Sequence, residues 1–445
     1  MSRSARRLVT VVAAATVATT LAACGGSNGG SNGSSGGSNA ASAPGITATT
    51  IKLGSHYPLT GVAAPGYSQI PLGAKAYFDY VNSKGGVNGR KIEWDYKDDG
   101  YNPTNTSQVV NQLVLKDKVF ALMGGLGTPT HSAVLDFLNS TGVPDLFVAS
   151  GSSLWDQPKK NPDTFGWQTD YISEGKIIGQ YIKQNMPNAK VGLFLQDDDF
   201  GTDGEKGVRQ YIDSQIVDAE RYTPGKTDVT AQISALQQKG ADFVIGFNVP
   251  AYTALTQLTA LKLGYHPQWF YSNVGSDATL VGGLLANFSQ GQVKDASSLT
   301  GALTTQYLPV VEDQNDPWVQ TFSRIWQSSG GQGTLNNFEL YGMAQAYTTV
   351  QALQAAGKNP TREGLVSAIE KAGKGWKGPW LAPFRYSSDR HAGISGMKVI
   401  KITGSTPQDL TKVLVTDVGN APIKEYSGAE STPPSSGIPN EKPVG

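Results

Sequence analysis

At 445 residues the chain is about three typical domains long, so two hydrophobic cores are expected and a stapled mini-protein is excluded. Its 36 basic residues balance 36 acidic ones, which removes the positive excess a nucleic-acid binder needs, while 8 Trp, 18 Tyr and 14 Phe in a 39% hydrophobic composition exclude global disorder. The one cysteine, Cys24, excludes both an intrachain disulfide and a thiolate metal cluster.

Arg3, Arg6 and Arg7 precede an apolar, acid-free run from Leu8 to Ala23, the layout of a secretory signal. The run is short for a membrane-spanning helix, which needs ~20 residues. It ends at Leu21-Ala22-Ala23-Cys24, small residues before a cysteine that resemble a bacterial lipobox. That resemblance implies that residues 1–23 are a removed signal peptide and that Cys24 becomes a lipidated N-terminus. The protein is then extracytoplasmic, anchored to the outer face of the bacterial cell membrane. Arg6-Arg7 leaves twin-arginine export open beside the general secretory route. Loss of three arginines leaves 33 basic against 36 acidic residues, a net of about −3. Gly, Ser, Asn and Ala alone fill positions 25–43, so residues 24–45 read as a flexible tether.

From Ile51 onward, strand-like runs alternate with helix-like ones. Ile51 to Leu53, Lys91 to Tyr96, Val119 to Met123 and Leu146 to Ala149 read as short strands, and Ala74, Tyr77, Phe78 and Val81 between them give one helical face. A second series has strands near 191–195, 216–222, 243–247 and 269–272. Strands and helices alternating at this spacing predict right-handed crossovers and parallel sheets covered on both faces. Two series predict an α/β protein of two doubly wound lobes. Helices expected over 318–327, 336–356 and 361–372 follow the second series with no third sheet, so they are expected to return to the first lobe and create a cleft. The proline-rich end, 427–445, reads as a disordered tail.

Catalytic and metal chemistry find little support. His56, His131, His266 and His391 form no HExxH pair and are expected on surfaces or loops. Gly125 and Gly127 lack the third glycine of a dinucleotide fingerprint. Asp197, Asp198, Asp199 and Asp203 fail the calcium-loop pattern, and are read instead as a strand end leading into a helix N-terminus. The chain is read as a non-enzyme without a cofactor. Ligands of open parallel sheets sit beyond the C-terminal strand ends. There, Gly124 to Thr128 and Ala149 to Ser153 offer small hydroxyls and free amides, which suit either a carboxylate or ordinary helix capping.

Lys84-Gly85-Gly86-Val87-Asn88-Gly89-Arg90, Asp98-Asp99-Gly100-Tyr101, Gly127-Thr128-Pro129-Thr130, Val143-Pro144-Asp145-Leu146-Phe147-Val148-Ala149-Ser150-Gly151 and Gln196-Asp197-Asp198-Asp199-Phe200-Gly201 together resemble the type I periplasmic-binding family, in the branch that includes leucine/isoleucine/valine-binding proteins. The resemblance spans about residues 51–416. It implies two lobes joined by three crossings, placed near Gln168, Leu303 and Phe384, with a ligand cleft between them. The lobes are then 46–168 plus 304–384, and 169–303 plus 385–426. It also implies a monomeric clamp that closes on a small carboxylate-bearing solute, an amino acid or an aromatic or aliphatic acid. The clamp hands its solute to the membrane permease and ATPase subunits of an ABC importer; the alternative is a sensor that presents the same clamp to a membrane signalling partner. The corresponding ligand-binding positions are Tyr67, Thr128, Ser150, Ser152, Ser153, Phe200, Asn248 and Asn273. Asn273 stands where amino-acid binders often carry an acid for the ammonium, which shifts weight toward a carboxylate without one. Asp277 is the nearby acid.

Overall fold

The structure, a computed structural model, describes residues 39–404 and 406–444. The signal peptide, Cys24 and most of the tether lie outside the described residues. Strands β1 (Thr50–Tyr57), β2 (Lys91–Asp98), β3 (Ala121–Met123), β4 (Asp145–Val148) and β5 (Thr164–Gly166) form a parallel sheet in the order β2-β1-β3-β4-β5. A second sheet contains β6 (Val191–Gln196), β7 (Ile216–Tyr222), β8 (Phe243–Phe247), β9 (Gln268–Tyr271), β10 (Leu303–Gln306), β11 (Gly396–Lys401), β12 (Gln408–Asp409), β13 (Leu414–Val415) and β14 (Lys424–Glu425). Its order is β14-β13-β11-β10-β9-β8-β6-β7, with β12 beside β11. Strands β6 to β10 pair in parallel, whereas β11 enters antiparallel to β10 and carries short antiparallel additions. Central strands β6 and β8 are buried at every residue, as strands covered on both faces must be. The order reverses between β1 and β3 and again between β6 and β8, which puts a topological switch point in each sheet.

After β10 the chain returns to the first sheet. The Asn337–Ala355 helix starts with a capping box between Asn336 and Glu339, and it crosses the Ile70–Ser83 helix with backbone against backbone. A Cβ on Gly73 would lie 2.0 Å from the Glu339 carbonyl oxygen, and one on Gly342 would lie 2.0 Å from that of Ile70. Only glycine permits that approach.

Three features differ from the sequence reading. Strand β10 pairs with β9 and β11, so residues 304–306 belong to the second sheet and the crossing follows Gln306. Residues 385–395 stay on the first lobe: Tyr386 Oη donates to the Gly166 carbonyl, and the Ile394 amide donates to that of Trp167. That crossing therefore falls just before β11 rather than at Phe384. Of the 427–445 segment, expected to be disordered, the described residues 427–444 are strapped across the first-lobe helices. Trp318 Nε1 donates to Ser431 O (2.7 Å), Tyr77 Oη to Gly437 O (2.8 Å) and Gln354 Nε2 to Pro439 O (2.8 Å). Pro433, Pro434, Pro439 and Pro443 have no N–H to satisfy and little backbone entropy to lose, so a strap that meets the helices mainly through its carbonyls suits them, with Glu441 and Val444 N–H donating to Gln354 Oε1 and Ala355 O.

Three of the four histidines are also buried rather than superficial, because each ring nitrogen finds a partner. Asp99 Oδ2 bonds His56 Nδ1 (2.7 Å), His56 Nε2 bonds His131 Nδ1 (2.9 Å) and His131 Nε2 bonds Asp145 Oδ2 (2.8 Å), all fully buried. His391 Nδ1 meets the Thr164 carbonyl. The two-histidine chain ties the end of β1 to the loops after β2 and β3. Those loops reach the cleft.

Candidate ligand-binding site

A cavity of about 220 Å3 lies where the C-terminal strand ends of the two sheets face each other. The loop after β3 contributes Leu126, Gly127 and Thr128, and Val249 follows β8, so both switch points open onto it. Thr128 Oγ1 and Ser150 Oγ are 2.7 Å apart, hydrogen-bonded to each other and buried, and Tyr171 lines the cavity beside Thr128. Tyr171 opens the Tyr171–Asn185 helix, whose N-cap is Asp170. The Thr128–Ser150 bond consumes one of the three O–H donors of this hydroxyl trio and leaves the others for the cavity.

Aromatic rings form most of the walls. Tyr67 and Phe338 meet edge to face at 5.8 Å, and Phe200 packs on Tyr171 at 4.4 Å. Tyr101, Tyr307 and Tyr341 complete this lining. Burial pushes the phenols of Tyr67, Tyr101 and Tyr341 well above their ordinary value, so they are neutral at physiological pH. No Lys, Arg or His lines the cavity among the described residues; Asp277 and Glu312 are its charged groups.

Opposite the trio, Asn273 hangs over a carboxylate that sequence reasoning missed. Glu174, fully buried in the first turn of the Tyr171–Asn185 helix, accepts from the Asn273 backbone N–H (2.9 Å), Asn273 Nδ2 (2.9 Å), Thr305 Oγ1 (2.5 Å) and Ser272 Oγ (3.0 Å). Burial raises its carboxyl above the usual range, against the pull of those hydrogen bonds. An acceptor-only carboxylate fixes the amide: Nδ2 turns to Glu174 and Oδ1 is left for the cavity.

Side-chain hydrogen bonds cross between the lobes around this cavity. Tyr67 Oη donates to Val274 O (3.3 Å), Gln196 Nε2 to Tyr101 Oη (3.2 Å) and Asn337 Nδ2 to Asp277 Oδ2 (2.9 Å). A further pair joins Ser153 to Asp203, whose carboxylate accepts the Ser153 N–H at 2.8 Å and its hydroxyl at 3.3 Å. Asp198 caps the Asp199–Ile212 helix as a strand-to-helix junction requires, and no group of residues suited to a metal ion occurs among the described residues.

Of the positions named from sequence, Tyr67, Thr128, Phe200 and Asn273 line the cavity, and Ser150 stands directly behind Thr128. The other three face elsewhere. Ser152 accepts from the Leu154 N–H as a helix cap, Ser153 is the cross-lobe donor, and Asn248 donates to Thr253 Oγ1 beneath the 272–276 loop. Besides Glu174, sequence reasoning passed over Tyr171, whose apolar helix start resembles any other.

Residues 50–407 match the periplasmic binding protein family. The chain is 25% identical over 338 residues to a Leu/Ile/Val-binding protein homolog of Brucella abortus, covering 74% of this chain and 84% of that one. Among solved structures it resembles a fatty acid ABC transporter substrate-binding protein from Thermomonospora curvata (TM-score 0.73, 22% identity, 84% of this chain and 95% of that one). It also resembles a branched chain amino acid ABC transporter protein from Thermus thermophilus with bound valine (TM-score 0.71, 19% identity, 83% and 97%). At these identities the solved structures establish the fold, and the family match spans most of the chain. The chain belongs to the periplasmic binding protein family and is an extracytoplasmic solute-binding protein rather than an enzyme.

Proposed function

We propose that the protein captures a small carboxylate-bearing solute between its lobes and delivers it to the permease and ATPase subunits of an ABC importer, held at the outer membrane face through a lipidated Cys24. The observation that carries the carboxylate is the buried trio of Thr128, Ser150 and Tyr171, a set of neutral donors at a sheet switch point. Hydrogen bonds from such donors to an anion are stronger than neutral ones and need no countercharge. The valine of the Thermus protein and the fatty acid named for the Thermomonospora protein share the carboxylate and differ in the rest. The apolar body of the solute then lies against Tyr67, Tyr101 and Phe200.

A thermal-shift screen of amino acids, aromatic acids and aliphatic acids, each beside its neutral amide, tests this reading. Acids should raise the melting temperature where their amides do not, and Thr128→Val should remove most of the shift. Equal shifts from acids and amides would end the carboxylate reading.

A further inference from the structure

The cavity does not stop beneath the strand ends, and its extension bears on which acid it takes. Thr304 of β10 pairs directly with Ile400 of β11, so their side chains share one sheet face, and Ile402 is next on that face. Thr305, one residue along, points to the other face and bonds Glu174. The cavity touches Thr305 at its cleft end and continues down the Thr304 face to Ile400 and Ile402. From Gln306 to the level of Ala302, which pairs with Ile402, is four residues, roughly 13 Å at ~3.3 Å per residue. Ala278, Val310 and Pro407 form the facing walls. An amino acid held by the hydroxyl trio has no atoms to send there.

We propose that this extension is a channel for the unbranched apolar chain of an elongated monocarboxylic acid, whose head sits at Thr128, Ser150 and Tyr171. The proposal rests on the carboxylate reading and names its substrate class. Ile400 and Ile402 are 4% and 6% exposed, so the floor offers a tail a desolvated apolar surface. Carboxylates stand at the channel mouth, where Asp277 and Glu312 share the Asn337 amide group, Nδ2 lying 2.9 Å from Asp277 and 3.2 Å from Glu312. A second carboxylate at the far end of a chain would be buried against the apolar floor of Ile400 and Ile402, which separates monoacids from diacids.

Calorimetry with butanoic, hexanoic, octanoic and decanoic acids, the matching primary alcohols and octanedioic acid tests the channel on the intact protein. Each added methylene should tighten binding by about fourfold, or roughly 250-fold from butanoic to octanoic acid. Octanedioic acid should bind at least tenfold more weakly than octanoic acid. Ala278→Phe, at a half-buried helix start, should cancel the gain beyond hexanoic acid. Affinity that levels off or falls by hexanoic acid overturns the channel while leaving the carboxylate reading intact. Alcohols that match the acids at every length, with the same gain per methylene, overturn the carboxylate reading and leave the channel standing. Absence of binding in every series overturns both.

Discussion

Replacing Asp203 with alanine tests how the lobes hold each other. The Asp203 carboxylate accepts two hydrogen bonds from Ser153 across the cleft, at 2.8 and 3.3 Å, and burial has raised its carboxyl despite them. A hydrogen bond to a charged group contributes ~1.5–3 kcal/mol. The longer contact adds little, and desolvation of the carboxylate offsets part of the shorter one, so we take about 2 kcal/mol for the pair. That shifts the closing equilibrium by roughly thirtyfold. Solute affinity scales with the fraction of protein able to close, so the dissociation constant in calorimetry should weaken by about tenfold or more. Asp199→Ala is the control, since Asp199 sits exposed on the same helix. It should change affinity by less than twofold. If Asp203→Ala binds as tightly as wild type, or no more weakly than Asp199→Ala, the cross-lobe bond is not part of closure.

Glu174 gives a pH dependence. Its folded value is raised by burial, so the native state holds the proton more tightly than the unfolded chain; stability is greatest below the ordinary value of 4.5 and is lost as pH rises through the folded value. Urea unfolding of Glu174→Gln should show a flatter stability profile than wild type above pH 4.5. Gly342→Ala drives a Cβ into the Ile70 carbonyl and should cost about 3 kcal/mol or more, read as a lowered denaturant midpoint. His131→Phe strips the Asp145 carboxylate of its ring partner in a fully buried setting and should cost ~3–5 kcal/mol by the same measurement. Ending the chain at 430 removes the acceptors of Trp318, Tyr77 and Gln354 and should lower the melting temperature while leaving solute affinity within twofold.

What could be read in advance follows from what periodicity encodes. Strands β6 and β8 were legible because a strand covered on both faces is a continuous apolar run. Strand β10, Leu303-Thr304-Thr305-Gln306, has one apolar side chain and was missed; its place comes from pairing with β9 and β11. Composition misread the last segment, since Pro, Ser and Gly give no core but do supply carbonyl acceptors that buried donors elsewhere need. At the site, loop position located Thr128, Phe200 and Asn273 on the cavity wall but not the direction of Asn248 or Ser152, which depends on local hydrogen bonds. Glu174 was beyond reach: its meaning depends on Ser272, Asn273 and Thr305, 98, 99 and 131 residues away.

Small-angle scattering with and without a solute found by thermal shift tests the clamp most directly. Both switch points open onto one cavity, and hydrogen bonds join the lobes around it. A solute held there favours the closed arrangement by its differential affinity for it. The radius of gyration should fall at saturating solute and stay larger in its absence. An identical radius in both conditions, with binding confirmed by calorimetry on the same sample, would contradict capture by lobe closure.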